Sequence, residues 1–296
     1  MAKTKAKKKT GRVAAAPKLA CADFSFPLLS HEESLDLIAR LGFSGVDIGL
    51  FPNRSHFQPK DYLKDIAGAA RELSARVHDR GLEFADIFLQ PSSQLDDMAP
   101  NHPSAAQRRR WRELYLRTLE FTARCNGRHM TALPGIHFEK ESLEDSLKRC
   151  SDELAWCVEQ AEPLGIVFSV EPHMWSLAPN TRLAGKLVKM TKGLTLTLDY
   201  GHYTTQGEPD RAIEPLMKYA SHFHARAACK GLLQTTLVNN SIDYRRVVKA
   251  MKRCKYSGYI GVEYVRMGID VVPDVDNLSE TILMRDLLTR AWRSRR

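Results

Sequence analysis

The sequence predicts an α/β chain folded as a parallel eight-stranded (β/α)8 TIM barrel. Three observations carry the prediction. Eight apolar, β-rich runs alternate with amphipathic segments of helical period. The runs are continuous rather than alternating, as in parallel strands covered on both faces. The length, 296 residues, suits one barrel, for which ~250 residues is typical.

The runs come in order. "KLACADF" (18–24) is followed by "GVDIGLF" (45–51), "LEFADIFL" (82–89) and "HMTALPGI" (129–136). They continue with "IVFSVE" (166–171), "LTLTLD" (194–199), "ASHFHAR" (220–226) and "YIGVEYV" (259–265). After the first run, Ser30 and Glu33 form a capping-box pair that opens a helix carrying Leu35, Ile38 and Leu41. Longer periodic segments cover 59–80, 104–127 and 140–164, and shorter ones fall near 181–191, 209–219, 241–256 and 278–293. Gly42, Gly81, Gly165 and Gly193 each stand just before a strand, where a left-handed residue ends a helix. A doubly wound open sheet is the competing arrangement. No G-x-G-x-x-G follows the first run, which weakens its dinucleotide-binding form.

Composition narrows the function. No stretch approaches the ~18 apolar residues of a membrane span, so no membrane partner is expected. The N-terminus lacks the apolar core of a signal peptide, so the expected location is the cytoplasm. Cys21, Cys125, Cys150, Cys157, Cys229 and Cys254 form no CxxC pair and read as reduced thiols. The formal charge of +9 is uneven. Residues 1–18 hold seven Lys/Arg and no acid, and subtracting seven leaves +2. Residues 1–17 are therefore expected to be a disordered basic tail, and 18–296 a single barrel domain. A nearly neutral body disfavours nucleic acid as a partner, because tight binding needs a basic surface.

In a barrel the active site lies at the C-terminal ends of the strands. The fifth run ends in Glu171-Pro172-His173 and the sixth in Asp199, with His202 three residues on. The seventh carries His222 and His224, and the eighth Glu263. Three carboxylates and an imidazole on consecutive strands suit one divalent cation: Mn²⁺, Mg²⁺, Co²⁺ or Zn²⁺. Asp199 alone also reads as a helix cap. His222 and His224 share one sheet face because Phe223 separates them. His224 is nearer the rim and the better ligand, and His222 reads as a hydrogen-bonded core histidine. Glu263, between Val262 and Tyr264, is costly to bury unpaired. His137 follows the fourth run in a loop, and His56 and His102 read as surface residues. Asp47 and Asp86, inside the second and third runs, are expected to pair with arginine in the barrel mouth.

The pattern Glu171, Asp199-x-x-His202, His222-x-His224 and Glu263, with "VEPH", "LDYGH" and the entry phrase "LGFSGVDIG", resembles the xylose-isomerase-like TIM-barrel superfamily across about residues 18–296. That group includes sugar phosphate isomerases and epimerases, ketose 3-epimerases, inosose dehydratase and apurinic endonucleases. The resemblance implies that Glu171, Asp199, His224 and Glu263 bind one divalent metal, with Mn²⁺ the first choice. It implies that His202 meets a substrate oxygen and that Glu171 and Glu263 act as an acid/base pair. Epimerases carry an arginine six residues after the strand-seven histidine. Here that position is Lys230, and Arg226 is the alternative contact. His173, Arg226, Lys230 and His137 are the expected substrate-binding residues, and "KGLLQT" (230–235) the expected substrate-facing loop.

The implied activity is isomerisation or epimerisation of a sugar or keto-sugar through a metal-stabilised enediolate. A lyase or dehydratase of the same scaffold is the alternative, with His173 or His202 protonating the leaving group. An abasic-site endonuclease fits poorly, since residues 225–245 contain no histidine to complete a trinuclear site. A sugar-binding role without catalysis needs an incomplete ligand set. The expected partner is a small carbohydrate, and a homo-oligomer is the other open association.

Overall fold

Eight strands close on one another in chain order, every neighbouring pair parallel, with the first strand paired to the last. They are β1 (Leu19–Ala22), β2 (Gly45–Leu50), β3 (Glu83–Leu89), β4 (His129–Ala132), β5 (Val167–Val170), β6 (Thr195–Asp199), β7 (Ala220–Ala225) and β8 (Ile260–Val262). The computed structural model describes residues 18–294, and the expected basic tail, 1–17, lies outside the described residues. The closed barrel replaces the open-sheet alternative.

Helices α1 (His31–Arg40), α2 (Pro59–Tyr62), α3 (Ile66–His78), α4 (Ala105–Arg124), α5 (Leu143–Ala161) and α6 (Thr181–Met190) cover the first five crossovers. They are followed by α7 (Tyr200–Thr205), α8 (Asp210–Ile213), α9 (Tyr244–Arg253) and α10 (Asn277–Arg293). The Ser30–Glu33 capping box opens α1 as its sequence predicts. Gly42, Gly81, Gly165 and Gly193 all take positive φ before their strands. No helix among the described residues is long and apolar enough to cross a membrane.

Three segments depart from the periodicity. Residues 59–80 divide into α2 and α3 because Asp65 caps a new start, accepting from the Gly68 N–H. Residues 209–219 give α8 and then a 3₁₀ turn, Glu214–Tyr219, with Pro215 in its first turn. The third departure is α7, which springs directly from the last residue of β6 where the sequence shows only a Gly turn.

The apolar core lies between the strands and the helices, where Ile38, Trp111, Tyr115 and Phe121 are fully buried. The barrel interior is polar instead. The hydroxyls of Thr131, Ser169 and Thr197, on β4, β5 and β6, lie 2.6–3.0 Å apart in a closed triangle. Nearby, His129 bridges Asp86 at 2.6 Å and Ser221 at 2.7 Å. His222 pairs with Asp47 at 3.2 Å. Asp47 and Asp86 thus pair with histidines, not with the expected arginines. The strand interior offers imidazoles at the right level, whereas the longer guanidinium reaches the rim. His56 and His102 are half-buried rather than exposed: His56 stacks on His31, and His102 Nδ1 accepts from the Ser104 N–H. The six cysteines are free, four of them buried.

Candidate active site

The strand ends deliver the site. Glu171 and Glu263 each stand one residue beyond their strands, yet their backbones stay paired. The Glu171 N–H donates to Ala132 O at 3.0 Å, and the Glu263 N–H to Ala225 O at 3.1 Å. This pairing holds both carboxylates at the rim. Asp199 closes β6 and lies directly across from His224 in the β6–β7 register. Residues 222, 224 and 226 alternate with outward-facing neighbours, so His222, His224 and Arg226 rise in steps through the interior.

Asp199 caps the helix that follows it and also faces the interior. Its Oδ1 caps α7 by accepting from the Gly201 N–H at 2.7 Å. Its Oδ2 faces the interior, bonded to Arg226 and 3.7 Å from His202 Nε2. A Cβ on Gly201 would come within 3.0 Å of Asp199 Oδ1, so the close approach needs glycine. Gly261 has the same role lower down, where a Cβ would meet Asp47 Oδ2 at 2.0 Å.

His224 Nδ1 lies 2.7 Å from Glu171 Oε1 and 3.2 Å from Glu263 Oε2. Its Nε2 faces Asp47 Oδ2 at 3.8 Å. Burial alone would lower the imidazole pKa, but Glu263 and Glu171 overcome it and raise it to about 10. Burial pushes the Glu263 carboxyl up to about 7, against the pull of Arg226 and His224. Asp199 goes the other way: burial opposes, but Arg226, His202 and His224 hold its carboxyl below the usual range. Burial, reinforced by His202, drives His173 down to about 3, so that ring is neutral at physiological pH. Its Nδ1 accepts from the Trp175 N–H at 3.3 Å, which leaves the proton on Nε2.

Above these groups opens a cavity of about 420 Å³, within the usual range for small-molecule sites. Glu171, His173, His202, Arg226 and Glu263 line it. Asp199 and His224 lie just beneath. Two expected substrate contacts are elsewhere. His137 is exposed and its Nε2 is 3.2 Å from Glu141 O. Lys230 runs its stem alongside Gly207, outside the cavity lining. Of the 230–235 loop, only Leu233 reaches the cavity.

The structure adds residues the sequence did not single out. Arg54, Gln90, Phe24, Phe51 and Phe88 also line the cavity, and Trp175 stands beside His173 and His202. Arg54 bonds the Gln90 amide and lies over the Phe51 ring, 5.6 Å from its centre. Arg54 has no carboxylate partner among the described residues. A lone cation in the loop after the second run was the one available signal.

The donor set fits a divalent ion. The ligand atoms of Glu171, His224 and Glu263 lie within 4.8 Å of one another, as do those of Glu171, Asp199 and His202, and all are buried. Asp47 Oδ2 lies behind His224, 3.8 Å from its Nε2. Comparison with known proteins adds the family. The model of the xylose isomerase-like TIM barrel family matches residues 35–286. The chain belongs to that family. No curated protein matches the sequence.

Among solved structures, an L-ribulose 3-epimerase superposes with a TM-score of 0.72 at 18% identity, over 94% of this chain and 96% of that one. The IOLI protein with a binding zinc atom gives 0.69 at 16%, over 93% and 99%. The probable 3-DHS dehydratase AsbF from Bacillus anthracis gives 0.66 at 13%, over 94% and 100%. At these identities the likeness establishes the fold.

Proposed function

We propose that this family member is a divalent-metal-dependent isomerase or epimerase of a sugar or keto-sugar, working by proton transfer at the carbon next to a carbonyl. The observation that carries the reading is the convergence of two carboxylates, from β5 and β8, on the His224 ring: Glu171 Oε1 at 2.7 Å and Glu263 Oε2 at 3.2 Å. Glu171, Asp199, His224 and Glu263 would hold the ion, with Mn²⁺ the first choice and Mg²⁺, Co²⁺ and Zn²⁺ the alternatives. Bound there, a divalent cation supplies Lewis acidity to a carbonyl and its neighbouring hydroxyl.

The chain's own groups do the rest. One glutamate takes the α-proton and the other returns a proton, each step typically worth ~10²–10⁴-fold. Glu263 and Glu171 approach the His224 ring from different strands, so they can serve as the two ends of the proton transfer. His202 and His173 present ring nitrogens to substrate oxygens. Arg54 and Gln90 meet the oxygens at the far end, and Trp175, 42% exposed, offers a face to the sugar's C–H side.

A dehydratase is the second reading. It is favoured by the neutral His173, whose Nε2–H has no partner among the described residues and lines the cavity beside His202, where it can donate a hydrogen bond to a leaving hydroxyl. The test is a product screen of ketoses and keto-glycosides with Mn²⁺-loaded protein, read by NMR. A stereoisomer supports the first reading, and an unsaturated product with loss of water supports the second. No turnover of any ketose or keto-glycoside by protein shown to hold metal sinks both.

A further inference from the structure

Arg226 is out of keeping with a metal-binding cluster. It is 3% exposed, and one guanidinium nitrogen, Nη2, bonds both Asp199 Oδ2 and Glu263 Oε2, the latter at 2.6 Å. These are two of the four carboxylate and imidazole groups assigned above to the metal. A cation bridging them stands where a divalent ion would bridge them. Its backbone is fixed, because the Tyr244 hydroxyl donates to Arg226 O at 2.6 Å and the next N–H donates to Tyr264 Oη at 3.1 Å. The side chain has somewhere else to go, because it already borders the cavity. Its Nε is buried without a partner, so it is not fully satisfied where it lies.

Electrostatics explains why such a group is there. Glu171, Asp199 and Glu263 are three acids buried side by side, and an uncompensated buried charge is costly. The Arg226 guanidinium, on Asp199 and Glu263, supplies part of that compensation before any metal arrives, beside His224 on Glu171 and Glu263.

We propose that Arg226 is the resident cation of this site, that a divalent ion binds by displacing it, and that the released guanidinium turns into the cavity to meet a substrate oxygen. The inference rests on the reading of Glu171, Asp199, His224 and Glu263 as ligands. Metal affinity is then set by a competition inside the protein. Substrate and metal reinforce each other, since a substrate oxygen gives the displaced arginine a new partner.

The experiment is calorimetric titration of Mn²⁺ and of Zn²⁺ into metal-stripped wild type, Arg226→Met and Arg226→Lys, with thermal melting alongside. Losing a charge-assisted bridge, Arg226→Met is expected to bind both ions about tenfold or more tighter than wild type. It should melt lower than wild type in chelator and gain more on metal addition. Methylguanidinium added to Arg226→Met should weaken its metal binding again. Should Arg226→Met fail to fold, Arg226→Lys serves: its single ammonium bridges poorly, so it should bind metal more tightly than wild type by a smaller factor. Equal or weaker binding by the variants, with wild type binding normally, overturns the inference and leaves the ligand reading intact. No binding by any of the three removes the ligand reading and this inference with it.

Discussion

The His224 Nδ1–H points at Glu171 Oε1 at 2.7 Å and so ties together residues 53 positions apart, on β7 and β5 with β6 between them. The contact crosses the barrel mouth rather than running along the sheet. Both glutamates keep their backbone pairing whatever the side-chain charge, so their role can be tested without dismantling the fold.

Glu171→Gln and Glu263→Gln should each lower turnover by ~10²–10⁴-fold. Circular dichroism and melting should show a folded barrel. A variant keeping more than a tenth of wild-type kcat with metal bound would remove that glutamate from the acid/base pair.

His202 separates the two readings. Its Nδ1 is buried without a partner, and Nε2 lies 3.7 Å from Asp199 Oδ2. Burial lowers its pKa despite Asp199 and Glu171, which favours a neutral ring. In a dehydratase, His202→Gln should abolish elimination while α-proton exchange continues. In an epimerase it should mainly raise KM. The comparison is steady-state kinetics beside proton exchange on one substrate.

The site was legible in part, and the boundary has a physical cause. Glu171 and Asp199 end their runs, His224 and Glu263 lie two residues short of the ends of theirs, and strand alternation with barrel closure fixes which way such residues face. The same rule separated His222, paired to Asp47 in the interior, from His224 above it. Lys230 and His137 sit in loops, whose paths follow contacts that spacing does not encode. The Gly231 N–H bonding Thr205 O, for example, draws the loop after β7 toward α7, and Lys230 with it. Arg54, Gln90 and Trp175 likewise lie in connecting segments. The polar barrel interior was hidden because Thr131, Ser169 and Thr197 each interrupt an apolar run by a single hydroxyl.

Arg54 should govern substrate binding rather than chemistry. With Gln90 as its one side-chain hydrogen-bond partner among the described residues, it is free to meet substrate oxygens. Arg54→Met should raise KM about tenfold, the value of one lost hydrogen bond to a charged group, and leave kcat within about twofold. A loss confined to kcat would place Arg54 elsewhere in the cycle.

The interior pairs should show in acid stability. Asp86 is lowered to about 2; burial opposes, and the His129 ring overcomes it. A carboxylate with a depressed folded pKa adds stability above its unfolded pKa near 4 and loses it as pH falls toward 2. Asp86→Asn should therefore be less stable than wild type at neutral pH. The gap to wild type should close between about pH 4 and pH 2. Urea melts of both proteins across that range give the answer, and a gap independent of pH contradicts the assignment.

The central claim is proton abstraction beside a carbonyl by Glu171 and Glu263. Its most direct test is deuterium uptake from D₂O at the α-carbon of a panel of ketoses, followed by NMR with Mn²⁺-loaded protein. Uptake into at least one ketose, lost in Glu171→Gln or Glu263→Gln, is the predicted result. No uptake into any ketose by protein shown to carry the metal, or undiminished uptake in both variants, contradicts the claim.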